Sequence, residues 1–102
     1  MLNIKYTTME ELKQKIEARK KLSPPECFEL LESQDIELIR RYIGYDHFDS
    51  QSEPEFIKLG YVNLIEIYIR RYVLGPSATK ELEKLGNPDL TELYNHLYID
   101  WD

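Results

Sequence analysis

Apolar residues recur at three- and four-residue steps along most of this chain, which is the spacing of one face of an α-helix. The clearest run contains Leu64, Ile65, Tyr68, Ile69 and Tyr72. Glycines and prolines separate such runs, and no pair of stretches alternates apolar and polar residues as two half-buried strands would. The pattern therefore predicts an all-α fold.

The helical pattern also returns along the chain with many of the same residues. "KLGYVNLIEIYIRRY" starts at Lys58, and "KLGNPDLTELYNHLY" starts 26 residues later at Lys84. A weaker copy precedes both, with Gln34 where the others have Gly60 and Gly86. Such self-similarity indicates tandem repeats. We predict one helical repeat domain with repeats at 25–50, 51–76 and 77–102, preceded by an N-terminal arm and capping helix within 1–24.

Each repeat has the pattern of two short helices joined by a tight corner. Ser23 with Glu26, and Ser52 with Glu55, have the spacing of capping boxes at helix starts. The glycine of the later copies stands where a helix ends in a left-handed residue. In the last copy, Asn87 is placed to cap the second helix.

A hairpin of two short helices cannot bury its own apolar face, so neighbouring hairpins must stack to share a core. Upstream, Met9, Leu12 and Ile16 form the narrow apolar stripe of one more helix. We predict a short right-handed α-α superhelix, a stack of helical hairpins, closed by this N-terminal capping helix and by the polar C-terminus.

The repeated positions resemble the short tandem two-helix repeats of uncharacterised bacterial proteins. They are Leu59-Gly60, Leu64, Tyr68-Ile69, Tyr72 and Leu74, with their echo in Leu85-Gly86-Asn87, Leu90, Tyr94 and Tyr98. The period of about 26 residues is shorter than that of tetratricopeptide or HEAT repeats, so the similarity to those families is architectural only. The shared positions are structural, and the resemblance implies no catalytic residue.

The net charge of the 102-residue chain is −6, with a pI of about 4.9. This charge disfavours direct binding to nucleic acid or to an anionic membrane, because both are polyanions. The single Cys27 has no partner for an internal disulfide, which suits a reducing compartment. No apolar run has the length of a signal peptide or a membrane span. We expect a soluble, cytoplasmic protein.

One loop groups side chains that can carry chemistry: Asp46, His47 and Asp49. Two carboxylates and an imidazole can bind a metal ion or transfer protons. The alternative is a polar loop in which Asp49 or Ser50 caps the following helix. No phosphate-binding loop, CxxC, HExxH or nucleophile elbow is present. We expect no catalytic residue, no metal and no cofactor.

The segment "IRRY" occurs twice, from Ile39 and from Ile69. Its arginine pairs can bind phosphate or a carboxylate-rich partner. Each also has a helical explanation, because a Glu precedes Arg41 and Arg70 by four residues. The basic run "EARKK" that begins at Glu17 lies near a predicted helix C-terminus, where cations complement the helix dipole.

The leading hypothesis is a non-enzymatic module that binds another protein, since stacks of helical repeats form extended concave surfaces. The predicted surface follows the second helices of the repeats. Its candidate contact residues are Tyr45, Tyr61, Arg40, Arg71 and Trp101.

The alternative hypothesis is a small acidic inhibitor, such as an immunity-type or phage-encoded protein that blocks a basic or nucleic-acid-binding partner. Its carboxylates would imitate phosphate charge on one contiguous face. The candidate residues for that face are Asp46, Asp49, Glu53, Glu55, Asp100 and Asp102.

Overall fold

The computed structural model describes residues 9–99, and every regular element in that range is an α-helix. The predicted all-α class is confirmed. The helices of the described range are α1 (Met9–Glu17), α2 (Pro24–Ser33), α3 (Ile36–Ile43), α4 (Ser52–Lys58), α5 (Val62–Arg71), α6 (Pro76–Leu85) and α7 (Pro88–Tyr98).

The chain divides into two compact units, Met1–Asp46 and His47–Asp102. In the first unit, α1, α2 and α3 pack on one another. In the second unit, α4 packs along α6 and α5 packs along α7. The α4–α5 and α6–α7 hairpins are therefore stacked, first helix on first helix and second on second. The right-handed sense of a superhelix and the repeat boundaries stay predictions.

The start of α2 is the capping box that the sequence predicts. The Glu26 N–H donates to Ser23 Oγ over 3.4 Å, and the Ser23 N–H donates to Glu26 Oε1 over 2.8 Å. Lys15 of α1 also binds the Glu26 carboxylate, which ties α1 to α2. Burial alone would raise the pKa of Glu26, but the hydrogen bonds from Lys15 and Ser23 outweigh it and lower this pKa.

The second predicted capping box, at Ser52 and Glu55, is wrong. Ser52 is the first residue of α4 and is fully buried, and its hydroxyl donates to Asp49 over 2.9 Å. Asp49 also accepts the N–H groups of Ser52 at 2.8 Å and Gln51 at 3.0 Å, whereas Glu55 pairs with Lys58 at 3.2 Å. A carboxylate is a strong acceptor at a helix N-terminus, so Asp49 holds the start of α4.

A left-handed residue ends the first helix of each hairpin, at intervals of 26 residues along the sequence. The φ angles are 52° at Gln34, 75° at Gly60 and 69° at Gly86. Glycine adopts this conformation freely, whereas a residue with a Cβ loses roughly 1 kcal/mol. The two glycines confirm the predicted helix ends, and Gln34 makes the first corner the strained one.

Three tyrosines at the same 26-residue interval are buried, as their repeated position predicts: Tyr42, Tyr68 and Tyr94. Each hydroxyl accepts the backbone N–H of the residue 20 positions earlier: Leu22 at 3.5 Å, Phe48 at 3.0 Å and Leu74 at 3.1 Å. Phenylalanine would fill the same space but leave a buried N–H without an acceptor. The recurring residue is therefore tyrosine for a structural reason.

Glu53 links the two hairpins of the second unit from the interior, where it is only 6% exposed. Its carboxylate accepts the Gly75 N–H over 2.8 Å and the Tyr68 hydroxyl. Glu53 lies in α4, Tyr68 in α5 and Gly75 at the start of α6, so three helices meet at one side chain. Burial, followed by the contact with Glu53, raises the pKa of Tyr68 far above its ordinary value.

The α6–α7 hairpin lacks part of the apolar face of the hairpin before it. The buried isoleucines of the α4–α5 hairpin are Ile57, Ile65 and Ile69. The residues 26 positions later are Glu83, Thr91 and Asn95, which are exposed or partly exposed. These positions therefore make the surface of the α6–α7 hairpin more polar than that of the α4–α5 hairpin.

The predicted stripe of α1 is only partly correct. Leu12 and Ile16 are buried, whereas Met9 is 37% exposed. Within the described range, no helix combines the length and the apolar character that crossing a bilayer would require.

Candidate functional site

Two of the residues predicted to contact a partner, Arg40 and Tyr45, lie together in the first unit. They line a groove of about 400 Å³, which we call the arginine groove. Its lining residues are Ile16, Glu17, Arg19, Arg40, Arg41, Gly44 and Tyr45. This volume lies in the range of protein sites that hold a small ligand or a few side chains of a partner.

One wall of the groove is formed where α1 ends. The Arg19 N–H donates to the Ile16 carbonyl over 3.0 Å, and the Lys20 N–H donates to the Lys15 carbonyl over 2.9 Å. These bonds close the last turn of α1 and place Arg19 in the left-handed region at φ 58°. The Arg19 Cζ lies 6.0 Å from the centre of the Tyr45 ring, within the range of a cation–π contact.

Tyr45 follows α3 and is fixed from two sides. Its hydroxyl donates to the Lys20 carbonyl over 2.7 Å, and its ring meets Tyr42 edge-on with centroids 5.2 Å apart. Burial, and then the nearby charge of Asp46, raises the pKa of Tyr45 to about 12. The hydrogen bond to Lys20 and the ring contact with Tyr42 hold this wall in place before any ligand binds.

The last turn of α3 also lines the groove and carries two exposed arginines. Arg40 lies 3.5 Å and Arg41 3.4 Å from the same carboxylate, Glu37. The helical pairing predicted for Arg41 is thus present, but one carboxylate serves two guanidinium groups. Exposed ion pairs of this kind contribute little to stability, so a ligand can replace Glu37 at small cost.

The groove has the chemistry of an anion-binding surface in an acidic chain. Its lining includes three arginines and one carboxylate, Glu17, around Ile16 and Tyr45. Guanidinium groups bind carboxylates through paired N–H donors, and an aromatic wall contributes contact area without many rotatable bonds. The groove is therefore suited to a carboxylate that is carried next to an apolar group.

The other predicted contact residues do not join this groove. Tyr61 precedes α5 and Arg71 is its last residue. At 1.5 Å per residue they lie about 15 Å apart along the helix axis. Arg70, by contrast, makes the predicted pair with Glu66 over 3.0 Å. Trp101 lies outside the described residues.

The acidic face predicted for an inhibitor is not assembled as proposed. Glu53 is buried beneath Gly75 and Tyr68, so the prediction that it presents charge at the surface is wrong. Asp49 is occupied by the start of α4, and Asp46 lies 3.7 Å from Lys21.

Glu55, which is paired with Lys58, remains at the surface of the second unit. Asp100 and Asp102 lie outside the described residues. The second unit nonetheless has an acidic depression of about 510 Å³ on α7, lined by Asp89, Glu92, Leu93 and His96.

The loop residue His47 is exposed, and its Nδ1 lies 3.0 Å from the Phe48 carbonyl. Its ring meets Tyr72 edge-on, with centroids 5.8 Å apart. Within residues 9–99, no three His, Cys, Asp or Glu side chains converge as a metal site would require. Cys27 is buried, with its Sγ directed at the Leu22 carbonyl and the Tyr42 hydroxyl.

Arg19 and Arg41 are the groove residues that the sequence interpretation did not select. The run "EARKK" was assigned to the helix dipole alone. The sequence has no glycine or asparagine at this helix end, and the structure places Arg19 in the left-handed turn.

No protein-family model matches the chain, and no curated protein or solved structure matches it significantly.

Proposed function

We propose that this chain is a non-enzymatic module that binds another protein through the arginine groove. The observation that carries the proposal is the grouping of Arg19, Arg40 and Arg41 in one groove with Tyr45, whose ring lies beneath the Arg19 guanidinium. Arginine and tyrosine are enriched among the residues that dominate binding energy at protein interfaces. A wall that is already rigid also reduces the entropy lost on binding.

A binding role is also supported by how the reactive side chains are used. Cys27 and Glu53 are buried in structural contacts, and Asp49 holds a helix start. These groups serve the fold, which favours a module that binds over one that catalyses. A buried free thiol suits a reducing compartment, so we place the protein in the cytoplasm.

The test compares three immobilised proteins: the wild type, the groove variant Arg40→Glu/Arg41→Glu and the control variant Arg70→Glu/Arg71→Glu. Both variants reverse two charges in the last turn of a helix; the groove variant removes two ion pairs with Glu37, and the control variant removes one with Glu66. A protein retained by the wild type from an extract of the native host is identified by mass spectrometry. It is then purified and titrated against all three by calorimetry.

We expect the groove variant to bind at least about tenfold more weakly and the control variant to bind like the wild type. The proposal fails if the purified protein binds the wild type and the groove variant equally. It also fails if the two variants lose the same affinity, or if no retained protein binds in the calorimeter.

A further inference from the structure

We infer that the group held by the arginine groove is an acidic segment of the partner protein, and that Arg19 is the residue that selects it. This inference rests on the proposed function, because it names the chemistry of the ligand in the same groove. On this inference, Arg19 recognises the acidic segment with its guanidinium group, and the left-handed backbone at Arg19 positions that group.

The net charge of the first unit is compatible with an acidic ligand. The first unit has eight basic and nine acidic residues, a net charge of −1, whereas the second has five and ten, a net charge of −5. Three of the eight basic residues of the first unit line one groove. A long polyanion would be repelled by the whole chain, but a short acidic segment needs only the groove itself to be positive.

The backbone of Arg19 has a conformation that is uncommon for arginine. Its left-handed conformation is one that glycine adopts freely and that a residue with a Cβ adopts at a steric cost. The second unit has glycine where it uses this conformation, at Gly60 and Gly86. Arginine at this turn therefore has a backbone cost that glycine would not have, although its charge suits the helix C-terminus, and positions with such a cost are concentrated at functional sites.

The turn at Arg19 places the guanidinium group of this residue over the Tyr45 ring. The bond from the Tyr45 hydroxyl to the Lys20 carbonyl fixes the ring next to the turn that carries Arg19. The guanidinium then lies over that ring, at 6.0 Å from its centre. A contact with a ring face does not use the N–H donors of the guanidinium, so these remain suited to a paired contact with a carboxylate.

The experiment uses the partner identified above and a fluorescent peptide that contains its most acidic segment. A second peptide has Gln and Asn in place of Glu and Asp. Each is titrated by anisotropy against the wild type, Arg19→Gly and Gln34→Gly, and the urea midpoint of each protein is measured. Gln34→Gly is the matched control, because Gln34 is the other left-handed residue with a Cβ in the described chain and does not line the groove.

We expect the wild type to bind the acidic peptide and to bind the amide peptide at least tenfold more weakly. Both glycine variants should unfold at higher urea concentration than the wild type. Arg19→Gly should lose at least fivefold in affinity for the acidic peptide, whereas Gln34→Gly should keep the wild-type affinity. Arg19→Asn, which tolerates the left-handed turn but has no charge, should bind as weakly as Arg19→Gly.

The inference is overturned if Arg19→Gly binds like the wild type, or if the wild type does not distinguish the two peptides. Displacement of the acidic peptide by low millimolar inorganic phosphate would also overturn it, since the groove would then select phosphate. In all three cases, the proposed function would still be upheld if the intact partner protein binds Arg40→Glu/Arg41→Glu more weakly than the wild type. A partner that is insensitive to that double variant would refute the proposed function and this inference with it.

Discussion

The first and second units end their helices in different ways. The second unit places glycine at both left-handed corners, Gly60 and Gly86, whereas the first unit places Arg19 and Gln34 in that conformation. The second unit thus uses the favoured residue at its left-handed corners, while the first unit does not. Of the two exceptions, Arg19 lines the arginine groove and Gln34 does not.

The units also differ in where their charges are used. The second unit buries the carboxylate of Glu53 between its two hairpins, and this carboxylate has hydrogen-bond donors from Gly75 and Tyr68. The first unit also buries a carboxylate, Glu26, but in addition it groups three arginines in one groove. We propose that the second unit serves mainly the stability of the fold and that the first also serves binding. Four measurements test this division, in order of decreasing expected effect.

Glu53→Ala should destabilise the protein most, by about 2–4 kcal/mol, because it leaves the Gly75 N–H and the Tyr68 hydroxyl unpaired in the interior. Urea unfolding followed by circular dichroism measures the loss. Glu55→Ala is the control, since Glu55 is a more exposed residue of the same helix, and it should change stability by less than about 0.5 kcal/mol. Equal effects of the two variants would show that Glu53 does not hold the hairpins together.

Tyr68→Phe should cost about 1–3 kcal/mol, since it leaves the buried Phe48 N–H without its acceptor. Tyr42→Phe in the first unit should cost less, because the matching bond from Leu22 is 3.5 Å long and that from Phe48 is 3.0 Å. The same unfolding measurement ranks the two. If Tyr42→Phe lowers the free energy of unfolding more than Tyr68→Phe does, the second unit does not contribute more to stability than the first.

Gly60→Ala should cost about 1 kcal/mol, because alanine resists a φ of 75°. The added Cβ would lie 3.8 Å from Leu85 Cδ1, an ordinary contact, so the loss should come from the backbone. Gln34→Gly should stabilise by a similar amount for the opposite reason. If both changes have the same sign, the corners of the two units do not differ as described.

The smallest effect should come from the capping box of the first unit and should depend on pH. Because the pKa of Glu26 is lower in the folded chain than its ordinary value of 4.5, its ionised form stabilises the fold fully above that pH. This contribution is lost as the pH falls further, through the folded pKa. Urea midpoints from pH 7 to pH 3 should therefore fall less for Glu26→Gln than for the wild type.

Glu32→Gln is the control for removing a charge from the same helix, and its urea midpoints should follow the wild type. Parallel curves for Glu26→Gln and the wild type would contradict the assigned role of the Ser23–Glu26 box.

Much of the fold follows from local patterns. Helical spacing predicted the buried Tyr68 and Tyr94, and the glycines marked the corners, because both signals depend on neighbours within a turn or two. The start of α4 was predicted in two ways, because Ser52 and Asp49 both have capping side chains, and only the prediction that used Asp49 is correct. The choice between them depends on where the loop around the buried Phe48 runs, and that is set by tertiary packing.

The candidate site was predicted only in part. Arg40 and Tyr45 stood out as residue types that suit recognition, and the structure brings them together. Tyr61 and Arg71 are also residue types that suit recognition, but they lie at opposite ends of one helix. Arg19 joins the groove because the end of α1 lies beside the end of α3, a contact between segments that are distant in sequence. A sequence pattern within one helical turn cannot predict this contact between α1 and α3.

The change from Ile57, Ile65 and Ile69 to Glu83, Thr91 and Asn95 has a consequence for protein engineering. A grafted extra hairpin would meet polar and charged side chains at the positions where the α4–α5 hairpin has buried isoleucines, so its apolar face would stay poorly covered. Changing these three positions to isoleucine should favour the packing of a further hairpin. The three side chains would then decide whether the array can be lengthened.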